Sequence, residues 1–231
     1  MTKARLNKYL SNSGVCSRRK ADDLISSKVV FINGVEAKLG SLVESDDLVT
    51  VNGEKINTVD KKRYYAFNKP RGVISSLSDS QGKGIKKYLP YDTHLFPVGR
   101  LDKDSEGLII LTNDGDFSLL LTHPKYFKSK VYHLEYLSKP TNVGKEGIVK
   151  QFVHGVDHRG VKYKVDSAKF IDKNKIEISL HEGKTRHIRI ISGRIGLEII
   201  SLKRVSIGKL SLDKLNLSSG AVKEISKEEV L

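Results

Sequence analysis

Acidic side chains gather in the stretch VGRLDKDSEGLIILTNDGD, residues 98–116, although the chain carries a formal net charge of +14. One of them, Asp102, follows Arg100 and precedes the apolar run LIIL, which is typical of a buried strand. We therefore expect its carboxylate at the rim of a core, where neighbouring arginines keep it ionised and in place. Such a group can act as a nucleophile or as a base. A structural salt bridge accounts for the same pattern, and residue types alone favour that alternative.

The other acidic side chains of this stretch have simpler explanations. Asp114 and Asp116 fall in a turn sequence, where carboxylates commonly bond to nearby backbone groups. A cap or a solvated loop accounts for Asp104 and Glu106. A calcium loop through these acids lacks the glycine and the terminal glutamate that such loops need, so we predict no metal here.

Several other chemistries lack their motifs in this sequence. It contains no Walker-type phosphate loop, no histidine pair at metal-ligand spacing and no Gly-x-Ser-x-Gly elbow. The single cysteine, Cys16, excludes an internal disulfide and a cysteine zinc cluster, which indicates a reducing compartment, most simply the cytoplasm. No run of about 18 apolar residues predicts a membrane span, and the N-terminus does not match a secretory signal.

The charge balance indicates an anionic partner. The chain has 41 Lys and Arg against 27 Asp and Glu, which is typical of a nucleic-acid-binding protein. An anionic membrane surface and a merely well-solvated protein are the alternatives. The first 20 residues contain no acidic side chain, and their basic residues are Lys3, Arg5, Lys8, Arg18, Arg19 and Lys20.

Two short helices are predicted at the N-terminus. Apolar residues at helical spacing indicate the first helix, and Gly14 is placed to end it in a left-handed conformation. Ser17 can cap the second helix. A basic triplet in the first turn opposes the helix dipole, and phosphate binding is the simplest use for such a costly placement. The triplet consists of Arg18, Arg19 and Lys20.

Turn signals divide the remainder of the chain. Asn33-Gly34 and Asn52-Gly53 each predict a hairpin, and the polar segment 57–63 is the predicted linker. We therefore predict a small domain at residues 1–60 and a larger one at 61–231. In the larger domain, strand character is found in YYAFNK, LIIL, KVYHLEYL, KIEISL and SLKRVSI. Helical character is found in DFSLLLTHP and in the basic run after Gly183. Interleaved strands and helices without a βαβ repeat favour an α+β fold with a mixed, largely antiparallel sheet flanked by helices.

Segments along nearly the whole chain resemble the ribosomal RNA pseudouridine synthases, in the group of small subunit synthase A and large subunit synthases B, E and F. RLNKYLSNSGVCSRRKADDLI with VFING resembles the S4-type RNA-binding domain of that family. FNKPRGVISS, GRLDKDSEGLIILTNDGD, KVYHLEY, EGKTRHIRII and LKRVSIGKL resemble successive motifs of the catalytic domain. The blocks occur in the family's order, which makes the resemblance specific.

The resemblance implies roles for individual residues. The family's catalytic aspartate corresponds to Asp102, its base-stacking tyrosine to Tyr132, and the basic residue that pairs with the aspartate to Arg189. Ile188 corresponds to the neighbouring aliphatic residue. Taken alone, Tyr132 is better explained by ordinary strand packing, and Arg189 by a phosphate contact or a solvated helix face.

Further basic residues are candidates for substrate binding. Arg100 either supports the catalytic loop or contacts RNA. Lys69 and Arg71 are ambiguous in the same way, and we favour phosphate binding for both. Two positions depart from the family pattern: His187 replaces a glutamine, and Ile190 replaces a second basic residue.

The implied activity is the isomerisation of uridine to pseudouridine in ribosomal RNA. The reaction involves no net redox change, so the resemblance implies no cofactor and no metal. It also implies extrusion of the uridine from its stack. Attack by Asp102 and proton abstraction in a glycal-type route both remain open, as does the ribosomal subunit. We expect a monomer whose partner is ribosomal RNA, and no membrane association. The alternative is a catalytically silent RNA-binding factor for ribosome assembly.

Overall fold

The computed structural model describes residues 3–57, 61–79, 82–89, 94–139 and 143–231. The chain divides into two compact units. The N-terminal unit comprises Met1–Lys62 with Asn113–Gly115, and the C-terminal unit comprises Arg63–Thr112 with Asp116–Leu231. Part of the predicted linker, residues 58–60, lies outside the described residues.

Among its described residues, the N-terminal unit contains two helices and six short strands. The helices are α1 (Leu6–Asn12) and α2 (Arg18–Ser26). The strands are β1 (Ala4–Arg5), β2 (Val30–Ile32), β3 (Val35–Glu36), β4 (Leu42–Val43), β5 (Val49–Val51) and β6 (Glu54–Lys55). Strands β2, β3, β5 and β6 form one antiparallel sheet in the order β3-β2-β5-β6, and β1 pairs with β4.

Local sequence signals determine the boundaries of these elements. Gly14 has φ of +76° just after α1, and the Ser17 side chain accepts a hydrogen bond from the Lys20 backbone nitrogen at the start of α2. Both predicted hairpin turns have two consecutive residues with positive φ, as a type I′ turn requires. The helix and hairpin predictions for this unit are confirmed.

The C-terminal unit is built around a large sheet. The strands of this unit are β7 (Tyr64–Lys69), β8 (Phe96–Val98), β9 (Glu106–Thr112), β10 (Lys130–Ser138), β11 (Val156–His158), β12 (Val161–Tyr163), β13 (Ser167–Phe170), β14 (Lys175–Leu180), β15 (Glu198–Ile207), β16 (Leu210–Ser211) and β17 (Val222–Glu224). Its helices are α3 (Gly115–Thr122, whose first residue belongs to the N-terminal unit), α4 (Lys145–His154), α5 (His187–Arg194) and α6 (Leu212–Leu215). In the described part of the unit, short 3₁₀ turns span Lys86–Tyr88 and Pro124–Tyr126.

The main sheet has the order β13-β14-β10-β15-β9-β7-β17, with β8 beside β9 and β16 beside β15. Among the described strands of this sheet, β9 and β15 form the one parallel pair. The predicted α+β fold with a largely antiparallel sheet is therefore confirmed.

Strand β9 explains the apolar run next to Asp102. Ile109 and Leu111 are buried in one hydrophobic cluster, while Leu108 and Ile110 are buried in another. Because successive strand side chains point to opposite faces, a strand covered on both faces reads as a continuous apolar run. No helix within the described residues is long and apolar enough to cross a membrane.

Candidate active site

Asp102 lies in the loop between β8 and β9, which is held at several points. The Ser75 hydroxyl donates to the Leu101 carbonyl oxygen at 2.8 Å and accepts from the Leu101 backbone nitrogen at 3.0 Å. The Ser105 nitrogen donates to the Asp102 carbonyl oxygen at 3.0 Å, and the Gly72 nitrogen to that of Lys103 at 2.8 Å. The loop is therefore preorganised by backbone bonds, while the Asp102 side chain remains 32% exposed.

Arg189, on α5, contacts the same loop. Its Nη2 donates to the Asp104 carbonyl oxygen at 2.9 Å and to the Ser105 hydroxyl at 3.0 Å. Its Nε lies 3.8 Å from Asp102 Oδ2, which makes an ion pair longer than a hydrogen bond, and this buried Nε has no hydrogen-bond partner. Burial lowers the pKa of Arg189, and the Asp102 carboxylate opposes that shift. The predicted pairing of Arg189 with Asp102 thus exists as a charge contact.

A cavity of about 270 Å³ opens beside Asp102. Four of the predicted site residues line it, namely Arg100, Asp102, Tyr132 and Ile188. The remaining lining residues are Gly99, Leu101, Ser105, Leu180, Gly183, Lys184, Thr185, Arg186, His187 and Leu202. The loop before β9, strand β10 and the start of α5 therefore converge on one space with an acid, an aromatic ring and basic side chains.

Arg204 anchors the tyrosine of this cavity, and sequence reasoning assigned it no role. It is 3% exposed on β15, and its Nε donates to the Leu108 carbonyl oxygen at 2.7 Å. Its Nη1 donates to the Tyr132 hydroxyl at 3.4 Å, and its guanidinium carbon lies 5.9 Å from the Tyr132 ring centroid. A lone arginine in a strand-like sequence carries no signal of such a contact, although it lies within the motif LKRVSIGKL.

A close approach of two strands brings Arg204 to this position. Gly107, with φ of +108°, is paired with Arg204 in the parallel β9–β15 ladder. A Cβ atom at Gly107 would overlap the Arg204 carbonyl oxygen. Glycine at this position therefore lets the strand that follows Asp102 pack against the strand that supports Tyr132.

Comparisons with known proteins identify the group to which this arrangement belongs. Residues 63–192 match the family model described as RNA pseudouridylate synthase, and residues 4–49 match the S4 domain. The chain belongs to the RNA pseudouridylate synthase family. Its sequence is 36% identical over 237 residues to ribosomal large subunit pseudouridine synthase B of Bacillus subtilis (strain 168), covering 98% of this chain and 93% of that protein.

Two further relatives support this family membership. Dual-specificity RNA pseudouridine synthase RluF of Escherichia coli (strain K12) is 37% identical over 205 residues, which cover 88% of this chain and 69% of that protein. A crystal structure of a pseudouridylate synthase matches this chain with a TM-score of 0.70 and 25% sequence identity. The match covers 98% of this chain and 97% of the chain in that crystal structure. The S4 domain and the synthase fold predicted from the sequence are both confirmed.

Within this synthase fold, Lys69 is not placed to contact a phosphate. It is 0% exposed, and its ammonium donates to the carbonyl oxygens of Pro70 at 3.0 Å and Val73 at 2.7 Å. Burial lowers the pKa of Lys69 to about 8, against the opposing effect of Glu106 and Asp102. Two of its three donors are occupied and the side chain is buried, so we replace the predicted phosphate contact with a role in bracing the turn after β7.

The other basic residues predicted to bind substrate are exposed. Arg71 Nη1 donates to the Ile200 carbonyl oxygen at 3.2 Å, and Arg100 lies at the cavity. In the N-terminal unit the whole basic triplet of α2 is open to solvent. Its members are Arg18, Arg19 and Lys20.

The two departures from the family pattern have different surroundings. His187 is 5% exposed, and its Nε2 is 2.9 Å from the Lys164 carbonyl oxygen, so this nitrogen carries the proton and donates. Burial lowers the pKa of His187, which favours the neutral ring. His187 thus supplies a structural hydrogen bond, as expected of a substitute for glutamine. Ile190 is partly buried on the same helix.

The part of the chain that the structure describes contains no set of side chains that could hold a metal ion. No group of three or more His, Cys, Asp or Glu side chains lies close enough together there to hold an ion.

Proposed function

We propose that this protein isomerises uridine to pseudouridine in ribosomal RNA, with Asp102 as the reacting side chain. The observation that carries the proposal is that Asp102 and Tyr132 line one cavity, with Arg189 paired to Asp102 at 3.8 Å, in a chain of this family. Ribosomal RNA is proposed because the B. subtilis relative is named for the large ribosomal subunit. The net charge of +14 supplies the attraction for a polyanion.

The size of the cavity favours an extruded nucleotide. A duplex cannot enter a space of about 270 Å³, whereas a single nucleotide can present its base and ribose to Asp102. Extrusion costs a few kcal/mol of lost stacking and pairing. Stacking of the uracil on Tyr132 recovers about 1–3 kcal/mol of that cost. The contacts from Arg204 hold the tyrosine ring in place for this stacking.

The chemical step exchanges one bond to the ribose for another. The bond between C1′ and N1 breaks, the base turns, C1′ bonds to C5, and C5 loses a proton while N1 gains one. Asp102 either attacks C1′ covalently or removes a ribose proton in a glycal route. Both routes need an ionised carboxylate, which the charge of Arg189 at 3.8 Å stabilises.

Exposed basic residues are proposed as RNA contacts. Arg100 and Arg71 bind phosphates near the cavity, and Ile188 packs against the substrate from α5. The S4 domain, which we place at residues 1–60 with the catalytic domain at 61–231, binds RNA through the exposed triplet on α2. Arg18, Arg19 and Lys20 form that triplet. We further propose that the protein acts as a monomer in the cytoplasm.

The test uses ribosomal RNA of both subunits, transcribed in vitro and therefore unmodified. After incubation with the full-length protein, pseudouridine is mapped by carbodiimide modification and primer extension. We expect a site-specific signal with the native protein and none with Asp102→Asn, whose RNA affinity in filter binding should stay unchanged. Asp104→Asn is the matched control, since Asp104 accepts the Arg189 hydrogen bond through its backbone carbonyl oxygen, and it should remain active.

The outcomes separate the alternatives. RNA binding by the native protein without any new pseudouridine would overturn the enzymatic proposal in favour of a silent assembly factor. An active Asp102→Asn variant would remove Asp102 from the reacting role.

A further inference from the structure

Phe127 is exposed in an unfavourable backbone conformation. Its residue surface is 71% exposed, and its φ of 49° and ψ of 36° place it in the left-handed region. That region costs a bulky side chain on the order of 1 kcal/mol or more, and such outliers concentrate at functional sites. The structure thus presents an aromatic ring to solvent where a polar residue or glycine would relieve the strain.

A second ring lies against Phe127. The centroids of Phe127 and His181 are 4.9 Å apart with an interplanar angle of 39°. His181 Nδ1 is 2.8 Å from both carboxylate oxygens of Asp166, so this imidazole is fixed in orientation. Lys130 Nζ donates to the His181 carbonyl oxygen at 3.0 Å and fixes the backbone as well. The two rings form a preorganised aromatic surface, the Phe127–His181 platform.

The platform lies beside the rim of the cavity. It flanks the point where β10 begins and β14 ends, since Lys130 is paired with Leu180. Leu180 lines the cavity, as does Tyr132, two residues further along β10. Gly183, two residues after His181, lines the cavity too. The platform and the candidate active site therefore share the same strand ends.

The charge around the platform suits an anionic ligand. Lys125 and Lys128 flank Phe127 in the sequence, and Lys184 follows closely after His181. Lys125 and Lys184 are exposed. Aromatic rings among basic side chains are the usual composition of a surface that binds unpaired nucleotides, because bases stack on the rings while lysines contact phosphates. Two acids lie nearby among the described residues: Asp166 contacts His181, and Glu182 pairs with Lys184 at 3.4 Å, so the positive charge of the platform comes mainly from Lys125 and Lys128.

We propose that the Phe127–His181 platform stacks a nucleobase next to the target uridine. The proposal rests on the proposed function, because a uridine that leaves its stack deprives its neighbour of a stacking partner. The platform replaces that partner and holds the strand open beside the cavity. Recognition is through the base face, so the platform tolerates any of the four bases.

A tryptophan reporter tests the platform directly, since the chain contains no tryptophan. Phe127→Trp places a single indole on the platform, and stacking of a base on it quenches its fluorescence. Leu137→Trp is the matched control, because Leu137 is 69% exposed at the opposite end of β10. With single-stranded deca-adenylate as the probe, we expect quenching in Phe127→Trp and little change in Leu137→Trp.

Kinetics on ribosomal RNA transcripts provide the second measurement. Loss of one base stack in Phe127→Ala should raise KM about 5- to 150-fold with little change in kcat. Phe127→Tyr should restore KM, because it keeps the ring. Equal KM values for Phe127→Ala and the native protein, or equal quenching at residues 127 and 137, would overturn the platform.

The two proposals fail in distinguishable ways. Absence of pseudouridine with the native protein refutes the proposed function, while quenching by deca-adenylate still decides whether the platform binds bases. A lipid surface is the competing ligand for an exposed aromatic ring among lysines. A blue shift of the Phe127→Trp emission with phosphatidylglycerol vesicles, without quenching by RNA, would overturn the proposal in favour of membrane binding.

Discussion

Substituting alanine for Gly107 tests the close approach of β9 to β15. The added Cβ would overlap the Arg204 carbonyl oxygen and lie 2.7 Å from its nitrogen, so the two strands must separate. A non-glycine residue at φ of +108° costs about 1–3 kcal/mol, and an overpacked contact costs a further ~1–3 kcal/mol. We expect Gly107→Ala to lower the free energy of unfolding by about 2–6 kcal/mol, a large share of typical domain stability.

Gly160→Ala provides the matched control. Gly160 has φ of +75°, and a Cβ there meets nothing within 4 Å, so this variant carries the conformational cost without the clash. Urea unfolding should show that the free energy of unfolding of Gly107→Ala is lower than that of Gly160→Ala by about 1–3 kcal/mol, the cost of the overpacked contact. Gly107→Ala should also lose kcat while still folded, because displacement of Arg204 loosens Tyr132. Equal stability of the two variants would refute the close approach.

Three further perturbations test the site and the RNA-binding surface. Arg189→Met should lower kcat/KM about 10- to 100-fold, because a charge pair near 4 Å contributes a few kcal/mol that partial exposure reduces; single-turnover kinetics measures this. Arg18→Glu with Arg19→Glu should reduce the slope of log affinity against log salt by about 1–2, as filter binding would show. Lys69→Met tests the buried ammonium: because the Lys69 pKa is lowered from 10.5 to about 8, the unfolded chain binds more protons over that range, so native stability should rise with pH relative to the variant.

Two of these predictions have a control in the same part of the protein, and the third has a result that would contradict it. Arg194→Met alters an exposed arginine on the same helix as Arg189 and should leave turnover intact. Lys28→Glu with Lys38→Glu makes an equal charge change on the N-terminal unit, and an identical slope change would mean that the α2 triplet is only a solvated face. A stability difference between native protein and Lys69→Met that stays constant above pH 8 would show that Lys69 keeps its proton.

Local signals made much of the fold predictable. The Asn33-Gly34 and Asn52-Gly53 turns and the Ser17 cap depend on a few neighbouring residues, so their sequences sufficed. Strand β9 was predictable because burial on both faces leaves an uninterrupted apolar run. The start of α5 was less so, since the chain remains irregular from Gly183 and the helix begins at His187 after a left-handed Arg186.

Long-range contacts limit how much of the candidate site can be predicted from the sequence. Asp102, Tyr132 and Arg189 were found through family motifs, yet residue types alone favoured a salt bridge and ordinary packing for them. The burial of Lys69 and the bond from Arg204 to Tyr132 depend on which strands become neighbours, which no local pattern states. Phe127 left no signal because a left-handed backbone at phenylalanine contradicts its local preference.

Strand β7 is the first strand of the C-terminal unit to be synthesised, and its neighbour in the sheet, β17, is the last. During translation the edge of β7 therefore stays unpaired until Val222–Glu224 have been made. Likewise, Tyr132 has no hydrogen bond from Arg204 until β15 has been made. The S4 domain, by contrast, has all its strands in the first 60 residues and can fold on the growing chain. With the roles proposed above, a nascent molecule would bind RNA through its S4 domain before it could modify it.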